Sequence, residues 1–322
     1  MVYYWPPSGG SGVQRWLFLA NYFAAKGMDV TVYVPNNPRI AQRDDALRQK
    51  VHQGITEIKV DGWEPMQHSS KPIGENLGEK RAVVKRFMLW VRANFFIPDA
   101  RVYWAKAATQ VFLKQHKQKP IDLIITSGPP HSLHIIGMQA KQQTGMLWIA
   151  DFRDPWTGFF QNRSLPLSKK AKQKHKQLEQ KVLQHADRVV VTAPSLKSDF
   201  KTHNPNIAVL TNGYEQLLPT VTAAATGMVY AGSLKAQQNP TVLWQAIASL
   251  IKSNAAFGEA FSLDVYGKVA TSIKAEVKSL GIDTHVRFLG YQPKEVVDAQ
   301  LTNAKGLLWL GINMPMTEDV IY

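Results

Sequence analysis

The 322-residue sequence contains no cysteine. That excludes disulfides, thiolate nucleophiles and cysteine-based zinc sites. Long apolar runs are missing as well: no stretch approaches the roughly 20 residues that span a bilayer, and the start carries no secretory pattern. Acidic residues are scarce, 24 against 38 Lys and Arg, for a formal net charge of +14. Such an imbalance points to an anionic partner: nucleic acid, acidic lipid headgroups or a phosphorylated substrate. A hydrophobic content of 45% with 19% charged residues is globular, and the length suffices for two domains with their own cores. The cytoplasm is the expected location.

Short apolar runs rich in β-branched residues alternate with segments of helical period. Val30–Val34, Ile121–Thr126, Met146–Ala150, Arg188–Thr192 and Ile207–Leu210 read as buried strands. Gln14–Lys26, Val83–Phe95 and Leu167–His185 read as helices between them. A second series follows, with strands at Met228–Tyr230, Leu263–Tyr266, Val286–Leu289 and Gly306–Leu310. Its helices are Pro240–Lys252, Ser272–Leu280 and Lys294–Thr302. Apolar strands alternating with helices imply parallel sheets covered on both faces. The expectation is an α/β chain of two doubly wound domains, residues 1–215 and 228–322, joined by a linker at 216–227. Both ends read as cut. The first strand has only Val2–Trp5 before its prolines, and the second domain reaches only a fourth strand.

Glycine-rich loops stand where strands end. "SGGSGVQR", Ser8–Arg15, links the first strand to the first helix, the usual ligand position in open α/β sheets. It fails as a dinucleotide fingerprint, because Arg15 stands where a third glycine is needed, and as a Walker loop. A purely structural turn stays open. "TSGPPHSLH" puts His131 just past a strand that reads as central, where a capping role is the plain alternative to catalysis. "WIADFRDPW" clusters Asp151, Arg153 and Asp154 at the next strand end, either for a ligand or as an internal salt-bridge cluster. "LTNGYE" carries an Asn212-Gly213 turn. In the second series "VYAGSLKAQQNP" offers Gly232, the amides after it and Lys235 to phosphate oxygens. "VYG" and "FLGY" add Gly267 and Tyr291 at neighbouring strand ends.

Taken in order, these motifs resemble the retaining glycosyltransferases of family 4, above all bacterial members that build cell-surface polysaccharides. The resemblance spans essentially the whole chain. It implies the GT-B fold: two Rossmann-like domains facing across a cleft, an acceptor-binding N-terminal domain and a nucleotide-sugar-binding C-terminal one, the latter incomplete here. No metal is implied, and the nucleotide sugar is a co-substrate. It further implies that Gly9, Gly10 and Gly12, with Gly232, Ser233, Lys235, Gly267 and Tyr291, serve the donor and its phosphates. His131 matches the histidine beside the transferred sugar. Asp151 and Asp154 would orient the acceptor hydroxyl, with Arg15, Arg153 and Asn212 lining the cleft. Two departures stand out. Ser233 and Gln238 occupy positions where the family usually carries Arg and Lys, and a Glu-x7-Glu-type segment is expected just beyond Tyr322.

The remaining charge is concentrated. Lys80 to Lys119 holds ten Lys/Arg and one acid, Asp99, and "KKAKQKHK" (Lys169–Lys176) adds a second run. Val83, Phe87, Val91 and Phe95 recur at i, i+4 spacing beside Lys80, Arg81, Lys85, Arg86 and Arg92. Either this is a core helix with a solvated basic face, or it docks on the anionic inner face of the cell membrane, which suits a lipid-linked acceptor. The competing classes are a nucleic-acid-binding protein, which lacks a zinc-finger, RRM or KH signature, a catalytically inactive nucleotide-binding protein, and a nicotinamide oxidoreductase with a broken fingerprint.

Overall fold

A computed structural model describes residues 1–38, 40, 43–64, 79–158, 165–213 and 226–310. These residues form two units, one ending at Gly213 and the other, among described residues, starting at Thr226.

In the first unit, helix α1 (Ser11–Ala25) follows directly on the glycine loop, and Gly10 turns the chain into it at φ 94°. A left-handed φ of that kind favours glycine. Strand β1 (Val30–Pro35) pairs in parallel with β2 (Ile55–Val60), in register Val30 to Ile55, with the short helix α2 (Ala46–Gln49) between them. Helices α3 (Glu79–Phe95) and α4 (Val102–Gln118) follow. A four-stranded parallel sheet comes next: β3 (Leu123–Gly128), β4 (Leu147–Phe152), β5 (Arg188–Val191) and β6 (Ile207–Val209), in that order. Helices α5 (Ser132–Thr144), α6 (Lys169–His185) and α7 (Pro194–Phe200) alternate with them.

The expected first strand at Val2–Trp5 is not a regular strand. Its backbone instead bridges the two sheets. Val2 N–H donates to Tyr33 O in β1 at 3.3 Å, while the Met1 nitrogen reaches Ile125 O in β3 at 2.8 Å and Ser127 N–H returns to Met1 O. Apolar side chains then collect on both faces. Val2, Trp5, Val13, Leu17, Val32 and Val34 form one core. Trp104, Phe112, Leu133, Ile136, Trp148 and Val182 belong to the other. Such two-sided burial explains why these strands read as continuous apolar runs.

Among the elements the sequence did not show are β2, α4 and α5. Strands β3 and β4 also end two residues later than their apolar runs suggest, because Ser127-Gly128 and Asp151-Phe152 continue the ladder. Trp148 sets the contact between α5 and this sheet. It is fully buried, and its Nε1 donates to Thr126 Oγ1 at 2.9 Å.

In the second unit, β7 (Thr226–Ala231), β8 (Leu263–Tyr266), β9 (Val286–Gly290) and β10 (Ala304–Leu307) make a parallel sheet in the order β10-β7-β8-β9. The last strand was expected at Gly306–Leu310 and begins two residues earlier. Helices α8 (Thr241–Ser253), α9 (Ala255–Ala260), α10 (Thr271–Ser279) and α11 (Lys294–Thr302) connect the strands. Trp244, Val265, Ile273 and Val277 sit in a core of their own, and Trp244 Nε1 donates to Asn239 Oδ1 at 2.9 Å.

Gly137 of α5 lies against Trp148: a Cβ there would stand 2.1 Å from Nε1. Gly137→Ala is therefore expected to lower the unfolding free energy by about 1–3 kcal/mol through overpacking. Gly213→Ala, whose Cβ meets nothing within 4 Å, should change it by less than about 0.5 kcal/mol. Urea denaturation of both variants checks the contrast.

Candidate functional site

The loop residues singled out in the first unit converge at the carboxyl ends of β3 and β4, around one carboxylate. Asp151 is 1% exposed and lies inside β4 opposite Ser127. Its Oδ1 accepts from Arg15 Nη2 at 2.9 Å. Its Oδ2 accepts from Ser127 Oγ at 2.7 Å, Trp16 Nε1 at 2.8 Å and, more weakly, Arg15 Nε at 3.4 Å. Arg15 Nη1 in turn donates to Leu210 O, Thr211 O and Asn212 Oδ1. Four donors fill the acceptor capacity of a carboxylate. Asp151 therefore takes the internal ion-pair role, and the expectation that it meets an acceptor hydroxyl is corrected. The reason is local: β4 runs through Asp151, so the side chain points between sheet and helix.

Arg153 is organised the same way. Its Nη1 donates to Gly12 O at 2.9 Å and its Nη2 to Pro129 O. A Cβ on Gly12 would stand 3.0 Å from that Nη1. What comes close to Gly12 within the chain is thus Arg153. Burial lowers the Arg153 pKa, while Asp151 and Asp154 act in the opposite direction. Two guanidinium groups and two carboxylates here balance. Gly9 and Gly10 are half-buried and Asn212 is exposed. Gly10 caps α1 without any side-chain hydrogen bond, and Val13 N–H turns back to Gly10 O at 3.2 Å, which leaves the Ser11 and Gly12 amides for an anion or for water.

His131 opens α5 and is only 9% exposed. Its ring stacks on Trp156 with centroids 5.0 Å apart and planes 3° from parallel. It hydrogen-bonds the Pro155 backbone, which offers only a carbonyl, so one ring nitrogen is the donor there. Its Nδ1 is buried without a partner, as is His134 Nε2. Both face Gly128, where a Cβ would lie 3.0 Å from the first and 2.6 Å from the second. Burial, with Arg153 and His175 adding to it, pushes the His131 pKa from 6.5 down to about 3. His134 is pushed down by burial and by its neighbours His131 and Arg153. His131 is thus a covered, neutral imidazole whose Nδ1 lies against Gly128.

In the second unit the three glycine loops pack on one another. Gly232 N–H donates to Tyr266 O at 2.9 Å, Gly267 N–H to Gly290 O at 2.7 Å, and Leu234 N–H to Lys268 O at 2.9 Å. Gly267 has φ 113°, and a Cβ on it would lie 2.2 Å from Gly232 O. Lys235 N–H is taken by Gln238 Oε1 at 3.0 Å. The amides of Gly232, Leu234 and Lys235 are therefore spent inside the protein. Lys235 and Ser233 remain exposed at this edge, as does Tyr291. Among the described residues no group of three His, Cys, Asp or Glu is placed to hold a metal ion.

Residues 9–213 match the glycosyl transferase 4-like domain family. The chain belongs to that family. It is a glycosyltransferase, and its parallel α/β sheets are those of the GT-B fold. WaaG, a glycosyltransferase involved in lipopolysaccharide biosynthesis, is similar in structure, with a TM-score of 0.51, 12% identity, and coverage of 95% of this chain and 72% of WaaG. The E. coli trehalose-6-phosphate structure bound with UDP-2-fluoro glucose has a TM-score of 0.55, 10% identity, and coverage of 96% of this chain and 77% of its own. No curated protein matches the chain by sequence.

Several residues that order this glycosyltransferase's site carried no sequence signal. Asp99, noted only as the lone acid of a basic stretch, accepts from Ser132 N–H and Oγ at 2.9 Å and so holds the start of α5. His175, inside the basic run of α6, accepts from Trp156 Nε1 at 3.0 Å. Glu179, one turn on, is 7% exposed and accepts from Thr157 N–H and Oγ1. Burial raises its pKa against those bonds. Helical spacing puts His175 and Glu179 on one face, but only the fold brings the 153–158 loop to it.

A depressed histidine pKa has a definite sign. The unfolded chain binds a proton below pH 6.5, whereas folded His131 does not until about pH 3. Its contribution to stability is full above 6.5 and is lost as the pH falls. The unfolding free energy of wild type minus that of His131→Phe should therefore fall by about 1.4 kcal/mol per pH unit below pH 6.5. Urea unfolding between pH 7.5 and 5, roughly the window of histidine titration, checks this, and a pH-independent difference contradicts it.

Proposed function

We propose that this glycosyltransferase moves a sugar from a nucleoside-diphosphate sugar to a lipid-linked glycan acceptor, with retention of configuration and without a metal. In this reading the unit ending at Gly213 takes the acceptor and the unit from Thr226 takes the donor. The uncapped start of α1, behind Gly9 and Gly10, offers amides to developing diphosphate charge. Lys235 adds a point charge, and Asp154 and Asn212 stand at the rim for hydroxyls. His131 acts as a positioning residue, holding Trp156 and the loop that carries Asp154.

The observation that carries the acceptor reading is the face of α3. Val83, Phe87 and Phe95 are 67%, 63% and 67% exposed, and Trp90 is 40% exposed. The alternative of a core helix with only its basic face solvated does not describe this surface. Arg86 and Arg92 lie on the same helix, which suits an anionic bilayer surface better than bulk water. Among the described residues no helix is long and apolar enough to cross a membrane, so α3 would lie in the interface. The nucleic-acid reading gives way to the family match, since the same charge here sits beside an apolar stripe.

Flotation with phosphatidylglycerol-containing vesicles should recover the protein, and pure phosphatidylcholine should not. Phe87→Glu with Trp90→Glu should weaken recovery by about tenfold or more. Equal recovery on both vesicles sinks the docking surface. Separately, NMR of the product formed from an α-linked nucleotide sugar should show an α linkage, and a β linkage overturns retention.

A further inference from the structure

At the carboxyl ends of β1 and β2 lies a cavity of about 390 Å³, outside the network around Asp151. It is lined by Asn37, Asp61, Gly62, Trp63, Glu64 and Trp104, among others. Gly62 brings the chain hard against α4: a Cβ there would lie 2.7 Å from Trp104 Cα. Trp104 is fully buried and ties down the strand end, its Nε1 donating to Val60 O at 3.1 Å. Glu64 is fixed as well, accepting from Tyr3 OH at 2.6 Å with Arg101 Nε 4.0 Å away. The segment on either side of Trp63 is thus anchored, yet Trp63 itself is 62% exposed. Tyr103 braces it edge-on with centroids 4.9 Å apart.

A large indole held out of the core by anchored neighbours suits a ligand with an apolar face. The rest of the lining is polar. Asp61 is exposed and accepts from Asn36 Nδ2 at 2.9 Å, and Asn37 is exposed beside it. Among the described residues, two carboxylates and no Lys or Arg line the cavity, which disfavours phosphates and nucleotides. An uncharged ligand with one C–H face and a rim of hydroxyls satisfies all of these features, and a pyranose has that form. The volume lies at the small end of ligand clefts.

We propose that this cavity is a saccharide subsite in which a neutral pyranose stacks on Trp63 and hydrogen-bonds Asp61 and Asn37. Resting on the glycosyltransferase reading, the subsite would hold a sugar of the acceptor glycan. Tyr103 also contacts Phe96, with centroids 6.0 Å apart, which places the subsite next to the end of α3 that meets lipid in that reading.

The test is binding of the full chain to an array of neutral di- to pentasaccharides, with UDP as an anionic control. Wild type should bind at least one neutral glycan, with no competition from UDP. Trp63→Ala should weaken that binding roughly tenfold or more, and Trp63→Phe should restore most of it. Circular dichroism and the unfolding midpoint should not change in either variant, because the side chain is exposed. No glycan binding by wild type, equal binding by Trp63→Ala, or displacement by UDP overturns the subsite. Nucleotide-sugar turnover by wild type, measured in parallel, separates the two readings. Turnover without glycan binding removes the subsite alone, whereas Trp63-dependent glycan binding without turnover removes the donor chemistry and leaves the subsite.

Discussion

The buried pair of Arg15 and Asp151 is the contact on which the site region of the first unit depends. With side chains 5% and 1% exposed, both groups have left water, and neither is tolerable there alone. Asp151 gathers α1, through Arg15 and Trp16, onto β3 and β4. Arg15 then reaches the backbone after β6. Four stretches far apart in sequence are thereby fixed at one sheet edge. The amides at the start of α1 and the Asn212 side chain owe their positions to this pair, not to their own propensities.

Close approach is the second constraint. Gly12 admits Arg153, Gly137 admits Trp148, and Gly267 admits the carbonyl of Gly232. In each case the missing Cβ serves an internal contact, so the glycine loops are built more rigidly than glycine content alone implies. Rigid strand ends suit a transferase, which must hold donor and acceptor groups in fixed geometry. Among the described residues, Asn212 in one unit and Ser233, Lys235 and Tyr291 in the other are exposed at these strand ends.

Much of the architecture was legible from patterning. The strands that are buried on both faces stood out as apolar runs, and the glycine loops marked their carboxyl ends. The misses have physical causes. The stretch Ile55–Val60 is an edge strand in which only Val60 is buried, so its apolar signal is weak. Helix α4 is rich in Lys and Gln on its outer side, which masked Trp104 and Phe112. The site was harder to read. A sequence shows that Asp151, Arg153 and His131 lie near strand ends, but not whether they point at solvent or at each other. Asp99 and Glu179 became visible only through partners more than twenty residues away. The stripe on α3 was legible as a stripe, while its exposure depends on what the fold places against it.

Asp151 and Arg15 act as one structural unit. A double-mutant cycle in urea, with Asp151→Leu, Arg15→Leu and the pair together, tests it most directly. Each single variant should lose about 3–5 kcal/mol, because it strands a buried charge. The double variant should be no less stable than either single one, a coupling of several kcal/mol between the sites. If Asp151→Leu alone unfolds at the wild-type urea concentration, or the two losses simply add, the pair does not hold this region together.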